Sequence, residues 1–319
     1  YCAAGRYFGE ADRRYVRPVV TRTFNASWQL YDAHLYPGGA CRLHTLRSML
    51  GDDVFWRGVR LYLERWRERT VETDDFRRTL EEVSGRALGP FFDQWIHGKG
   101  YPQLKATVAW DAVQRQLSFE VTQRQVNATT GVGLFDIELE LAWVIDGEVT
   151  TKTVRVHQAT HTFVFNAARD PDAVRVDPGM KVLHTLDFKP GDDKLRRQWA
   201  EAPDVVGRII AARELIRTGK AANVDAVSSR YVAEPFWGVR VQVAQAMAES
   251  ATVRALDALA HFVAVEASPL AMDAVFAAAG VARHRAIAEA LRARLDDPLP
   301  PRARRAALDA LGAQRDATD

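Results

Sequence analysis

The spacing of hydrophobic residues changes twice along this chain of 319 residues. Over residues 1–101, apolar side chains recur three or four positions apart, which is the period of one face of an α-helix. Over residues 102–189 they alternate or run together with β-branched and aromatic residues, which predicts six to eight short β-strands. The helical period returns over residues 193–319, in a stretch rich in alanine and arginine. The pattern therefore predicts three domains and a multidomain α+β fold.

Individual residues mark predicted helix ends within the first domain. Gly51 and Gly85 each follow a run of apolar residues at helical spacing, and glycine is common just after the last turn of a helix. Thr73 is followed by two aspartates, which favour the first turn of a helix, so Thr73 is the expected N-cap. A short apolar helix is expected to end near Gly98.

The alanine- and arginine-rich stretch contains an internal repeat of 32 residues. Three columns of small or apolar residues keep this register: Ala211, Val243, Val275 and Ala307; Ala212, Ala244, Phe276 and Leu308; Leu215, Met247, Ala279 and Leu311. A period in the thirties suits a unit of two helices, which buries its apolar face only against neighbouring units. We therefore expect a HEAT-like α-helical solenoid at residues 193–319, after a small β-sandwich at residues 102–189.

Composition and charge exclude several classes of function. The chain has 43 basic and 41 acidic residues, so its net charge of +2 argues against nucleic acid or an anionic membrane as a partner. It has no run of about 18 apolar residues, so no membrane-spanning helix is expected. Its two cysteines, Cys2 and Cys41, cannot form a disulfide framework, and a cytoplasmic location is the default expectation.

One histidine pair has the spacing of a metal site. His157 and His161 resemble the zinc-protease motif H-E-x-x-H, but Gln158 stands where the general base would be. Residues four apart share a face only in a helix, and the surrounding sequence is typical of strands. A glutamine also cannot take a proton from water. We expect no metal at this pair.

An ordered series of short segments runs through residues 12–125. The segments are R-Y-x-R-P-V-V at Arg14–Val20, Y-D-x-H-L-Y at Tyr31–Tyr36, G-A-x-x-L-H-x-L-R at Gly39–Arg47, L-G-D-x-x-F at Leu50–Phe55, V-E-T-D-D-F at Val71–Phe76, S-G-R-x-L-x-x-F-F-D-Q-W at Ser84–Trp95, G-Y-P-Q-L at Gly100–Leu104 and V-T-Q-R-Q at Val121–Gln125. In this order and spacing, they resemble the zinc aminopeptidases of the aminopeptidase N family, which are gluzincin metallopeptidases. The resemblance begins after the family's metal site.

The resemblance implies a fold and one catalytic residue. Residues 1–101 would be the helical part of a thermolysin-like catalytic domain, followed by a β module and a helical superhelix. Tyr36 falls on the tyrosine of the family's Y-E-K-G-A segment, which donates a hydrogen bond to the tetrahedral intermediate. Pro37 and Gly38 replace the glutamate and lysine that are usual there. The resemblance implies zinc in the full-length protein. The family's H-E-x-x-H helix and its glutamate ligand are missing from this sequence, so we expect this chain to bind none.

Two functions remain open. In the first, the chain is the C-terminal portion of an aminopeptidase that acts on peptides, and it is inactive alone. In the second, it is a metal-free scaffold or interaction protein that uses its HEAT-like array. The retained Tyr36 and the long matching series favour the enzyme, whereas the Pro37-Gly38 departure favours the scaffold. A catalytic domain divided in this way would expose apolar helix faces within residues 1–60, which predicts self-association, poor order or a changed arrangement near the N-terminus.

Overall fold

The computed structural model describes residues 2–314, and its contacts divide the chain into two compact units. The first unit ends at Lys189 and the second begins at Pro190. Each unit has its own cluster of buried apolar side chains. The mixed α+β architecture, with small sheets and a helical C-terminal region, is confirmed. The boundary between residues 101 and 102 stays a prediction, and residues 1 and 315–319 of the predicted domains lie outside the described residues.

The first unit begins with helices. They are α1 (Cys2–Ala11), a 3-10 helix (Ser27–Leu30), α2 (Tyr36–Leu50), α3 (Asp52–Arg65), α4 (Thr73–Ser84), α5 (Gly89–Phe92) and a π-helical turn (Asp93–His97). Gly51 has a φ of +81° between α2 and α3, and Gly85 has a φ of +66° after α4. Glycine adopts such positive φ angles without steric cost, and the predicted helix ends at both positions are confirmed.

The predicted N-cap at Thr73 is wrong by one residue. Thr73 is the first residue of α4, and Glu72 is its N-cap. The Glu72 N–H donates to Asp75 Oδ2 at 2.9 Å, which is one half of a capping box. With a cap at Thr73, the corresponding position would be Phe76, whose side chain has no acceptor. The carboxylate of Asp75 therefore decides where the helix begins.

Two sheets follow the helices of the first unit. Their strands are β1 (Gln103–Asp111), β2 (Gln116–Gln123), β3 (Ile137–Ile145), β4 (Glu148–Val156), β5 (Thr160–Asn166), β6 (Ala173–Val176) and β7 (Thr185–Phe188). One sheet has the order β5-β2-β1-β7, in which β1 and β7 are parallel, and the other has the antiparallel order β4-β3-β6. The rings of Phe119 and Phe165 from the first sheet contact Trp143 from the second, with centroids 6.3 and 5.0 Å away. The sheets therefore share one apolar core.

The second unit consists of helices in its described part. They are α6 (Asp192–Glu201), α7 (Val205–Arg217), α8 (Ala221–Ser228), α9 (Trp237–Ser250), α10 (Val253–Val265), α11 (Met272–Ala279), α12 (Arg285–Leu295) and α13 (Pro301–Ala313). Helices α7, α9, α11 and α13 pack in succession, and α8, α10 and α12 form a second succession. Nearly all of the repeat columns are buried, but Leu308 is 54% exposed because α13 has no further helix beside it in the described chain.

No helix within residues 2–314 is both long and apolar enough to span a membrane.

Candidate functional site

Tyr36 is the first residue of α2 and lines an open cavity of about 1750 Å³ in the first unit. Its side chain is 67% exposed, and within residues 2–314 its hydroxyl has no hydrogen-bond partner. Tyr31 lines the same cavity, with its ring centroid 6.2 Å from that of Tyr36. Pro37 follows in the first turn of the helix, where a missing N–H breaks no intrahelical bond. An accessible phenol therefore faces a cavity with room for a peptide.

Local hydrogen bonds fix the turn that leads into Tyr36. Oδ1 of Asp32 accepts the N–H groups of His34 and Leu35, at 3.0 and 3.1 Å. The N–H of Gly39 then donates to the Leu35 carbonyl at 2.9 Å. Aspartate side chains commonly stabilise turns in this way. The start of α2 is therefore set before any ligand binds.

Arg17 holds Asp32 through both carboxylate oxygens. Its Nη2 lies 2.6 Å from Oδ1 and its Nε lies 2.7 Å from Oδ2, and it also donates to the carbonyl of Leu30. The Tyr15 hydroxyl adds a third bond to the carboxylate, at 2.7 Å. Burial alone would raise the pKa of Asp32, but the donors from Arg17 and Tyr15 lower it to about 2. This ionised pair joins the first two segments of the matching series.

His34 lies buried beside two carboxylates. Its side chain has no exposed surface, and neither ring nitrogen has a hydrogen-bond partner in the described part of the chain. Nδ1 lies 3.5 Å from Asp32 Oδ2 and 3.7 Å from Glu10 Oε2. Burial lowers the pKa of His34, and the two carboxylates do not fully offset this effect. The imidazole is therefore neutral at neutral pH.

This cluster does not fit a catalytic zinc ion. Glu10, Asp32 and His34 bring three potential ligand atoms within 4.8 Å of one another. However, both oxygens of Asp32 are engaged by Arg17, and Glu10 Oε2 accepts the Ala33 N–H at 2.6 Å. A catalytic zinc also needs an open coordination position for water or substrate, and the His34 ring is closed to solvent.

The histidine pair in the sheet region is held by backbone contacts. His157 follows β4 and His161 lies within β5, so the pair does not lie on a helix. Nε2 of His161 accepts the N–H groups of His157 and Gln158, at 3.2 and 3.1 Å. The same lone pair cannot also bind a metal. The absence of a metal here stays a prediction, which this bonding supports.

Sequence reasoning selected Tyr36 but missed the residues that hold it. Asp32 and His34 lie within the second matching segment, and Arg17 lies within the first. The sequence offered one signal: Arg17 and Asp32 carry opposite charges on these neighbouring segments, and His34 follows Asp32 next to apolar residues. No pattern in the sequence indicated that Glu10, on α1, would reach the same place.

We expect acid to destabilise the first unit in two steps. His34 has a lowered pKa in the folded state, so below its ordinary value of 6.5 the unfolded chain binds the proton more readily and stability falls. Asp32 keeps its charge when folded, so the stability that it contributes is lost from its ordinary pKa of 3.8 down to about 2.

Urea unfolding of the chain across this pH range measures both steps. His34→Leu should remove the upper step, and Asp32→Asn should remove the lower one. The matched control is His97→Leu, because His97 is exposed in the same unit. An upper step that persists in His34→Leu would contradict the assignment.

Part of this chain is similar in sequence to known proteins. Residues 10–95 match the peptidase family M1 domain. Aminopeptidase N of Lactococcus lactis subsp. lactis is 30% identical over 116 residues, which are 36% of this chain and 13% of that protein. Aminopeptidase M1-C of Oryza sativa subsp. japonica is 27% identical over 126 residues, which are 39% of this chain and 14% of that protein.

The fold has a counterpart among solved structures. Legionella pneumophila aminopeptidase A, in complex with aspartic acid, matches 93% of this chain with a TM-score of 0.54 and 15% sequence identity. The match covers 37% of that protein. The matched stretches are thus much shorter than the relatives themselves. Residues 10–95 are therefore similar to the peptidase family M1 domain, and the relatives that match this part of the chain are aminopeptidases.

Proposed function

We propose that this chain is the C-terminal portion of a zinc-dependent aminopeptidase that removes N-terminal residues from peptides. The observation that carries the proposal is the accessible Tyr36 hydroxyl at a fixed helix start beside a large cavity. When water attacks a peptide carbonyl, negative charge develops on the carbonyl oxygen. A neutral donor already in position stabilises that charge more than it stabilises the uncharged substrate. Tyr36 supplies this hydrogen bond.

Aminopeptidases of this family depend on zinc in general. Neither Glu10, Asp32 and His34 nor the His157–His161 pair fits a catalytic zinc ion, so we assign the zinc ligands to residues outside this chain. The chain alone is then inactive, because a tyrosine that lacks a metal-activated water cannot hydrolyse a peptide.

The proposal extends to the domain types, the self-association and the cellular location of the protein. We assign the two facing sheets to a β-sandwich and the paired successions of helices to a HEAT-like array. Self-association is supported by exposed aromatic side chains in the first unit, among them Trp28 at 75% and Tyr31 at 71%. A cytoplasmic location stays a prediction.

A second candidate is a metal-free scaffold that binds a partner through the helices of the second unit. Several apolar side chains in the connections between these helices are exposed, among them Val232 at 69%, Leu270 at 63% and Val281 at 69%. This candidate treats Tyr36 as a residue without a catalytic role.

Metal analysis and an activity assay test the proposal. The purified chain should contain no stoichiometric zinc and should not hydrolyse leucyl- or alanyl-p-nitroanilide above the level of its Tyr36→Phe variant. Zinc-dependent turnover by the chain alone would contradict its inactivity. The coding sequence upstream of Tyr1 separates the two candidates, because an H-E-x-x-H motif followed by a glutamate ligand would exclude the metal-free scaffold.

A further inference from the structure

Gly38 and the side chain of Arg42 interlock at the start of α2. A Cβ atom on Gly38 would lie 2.9 Å from Arg42 Nη1, 3.0 Å from Tyr7 Cδ2 and 3.2 Å from the Ala33 carbonyl oxygen. The backbone of Gly38 is helical, so its conformation does not require glycine. Glycine is needed here because the guanidinium of Arg42 occupies the space that a side chain at position 38 would fill.

Arg42 is a buried cation that donates hydrogen bonds to neutral groups. Its relative exposure is 1%, and within residues 2–314 it forms no salt bridge. Nη1 donates to the Gly38 carbonyl at 3.0 Å, and Nη2 donates to the Gly100 carbonyl at 2.9 Å and to the Tyr7 hydroxyl at 2.7 Å. The guanidinium carbon also lies 4.6 Å from the centre of the Tyr7 ring. Burying a charge is costly, and these contacts offset the cost only while all of them hold together.

The contacts of Arg42 join three separate parts of the first unit. Tyr7 belongs to α1, Gly38 to the first turn of α2, and Gly100 to the segment that precedes β1. The Tyr7 hydroxyl also donates to the Gly100 carbonyl, at 3.2 Å. Arg42 therefore links the first turn of α2, which carries Tyr36, to α1 and to the segment before β1.

We propose that Arg42 is a positioning residue for Tyr36. Its guanidinium fills the space that Gly38 leaves and fixes the first turn of α2, so that the Tyr36 phenol points into the cavity in one direction. The catalytic role of this orientation rests on the proposed function, whereas the positioning of Tyr36 by Arg42 does not. It also accounts for the glycine in the Tyr36–Pro37–Gly38 segment, because any side chain at position 38 would displace Arg42.

Fluorine NMR of the chain labelled with 3-fluorotyrosine tests the proposal. The signal of Tyr36 is assigned by its loss in Tyr36→Phe. Arg42→Met should shift or split this signal and speed amide exchange of Gly38, Gly39 and Ala40 by about tenfold or more, since a local opening would cost less. The signals of Tyr62, whose ring packs against Phe76, and of Tyr231, which donates to Glu266, should stay in place. Arg42→Lys, which keeps the charge but loses the forked donor, should change the Tyr36 signal in the same direction by a smaller amount.

The matched control is Arg47→Met, on the same helix, where Arg47 pairs with Asp52 at the surface. It should leave the Tyr36 signal unchanged. A Tyr36 signal unmoved in a folded Arg42→Met chain would overturn the proposal. If that variant does not fold, as judged from Tyr62, an unmoved Tyr36 signal in Arg42→Lys overturns it instead. The failure of Tyr36→Phe to affect activity in the longer protein would remove the catalytic role but leave this result standing.

Discussion

Under the proposed function, Tyr36→Phe will lower the kcat of the zinc enzyme that contains this chain about 100- to 1,000-fold, which is the usual effect of removing one oxyanion donor. The hydroxyl acts only once charge develops on the carbonyl oxygen, so KM should change little. The substitution keeps the ring, and the side chain is 67% exposed, so folding should be unaffected. The loss is therefore expected in the chemical step alone.

Steady-state kinetics on a peptide amide substrate, with zinc content measured on the same samples, checks this expectation. Tyr31→Phe is the matched control, because Tyr31 lines the same cavity and is 71% exposed. It should retain kcat within a few-fold. An effect of Tyr36→Phe on KM alone would indicate that Tyr36 binds substrate without stabilising the transition state. Equal losses in both variants would mean that the cavity wall as a whole matters and not the Tyr36 hydroxyl.

Local signals allowed the secondary structure to be predicted. The helix ends at Gly51 and Gly85 follow from the conformational freedom of glycine, and the strands after residue 102 follow from alternation, since both are properties of neighbouring residues. The cap of α4 was misplaced because Asp75, three residues after Glu72, binds the Glu72 N–H and outweighs the preference of Thr73 for the cap position. Where two such local signals compete, the sequence pattern alone does not determine the residue at which the helix begins.

The site could be predicted only in part, because its supporting residues meet through tertiary structure. The resemblance pointed to Tyr36, but the partner of Asp32 lies 15 residues away in another segment. The burial of His34 and the role of Arg42 depend on how α1 packs against α2. The spacing of residues along the chain does not show which helices pack against each other.

The 32-residue repeat also has a polar component, because Arg208 and Arg240 lie one repeat apart, as do Glu234 and Glu266. Arg208 pairs with Glu234 through Nε and Oε2 at 2.9 Å, and one repeat later Arg240 pairs with Glu266 at the same distance. The side chains of both glutamates are nearly buried, at 4% and 2% exposure. Each pair therefore satisfies a charge inside the helical array, at an equivalent place in successive repeats.

Glu266→Ala will destabilise the second unit by about 3–5 kcal/mol, because removing one member of a buried ion pair leaves the other charge uncompensated. Glu266 accepts bonds from Arg240, from the Tyr231 hydroxyl at 2.8 Å and from the Ser268 N–H at 2.8 Å. Burial alone would raise the pKa of Glu266, but Arg240 and these donors lower it, so the stabilisation holds above its ordinary pKa of 4.5 and is lost as the pH falls below it.

Urea unfolding followed by circular dichroism measures the loss, and Glu249→Ala is the matched control. Glu249 also pairs with an arginine in this unit, at 2.7 Å, but its side chain is 59% exposed. A surface pair of this kind contributes about 0–1 kcal/mol. Glu234→Ala should behave like Glu266→Ala, because its pair has the same distance and the same burial. Equal small effects in all three variants would show that the array is stabilised by its apolar columns alone.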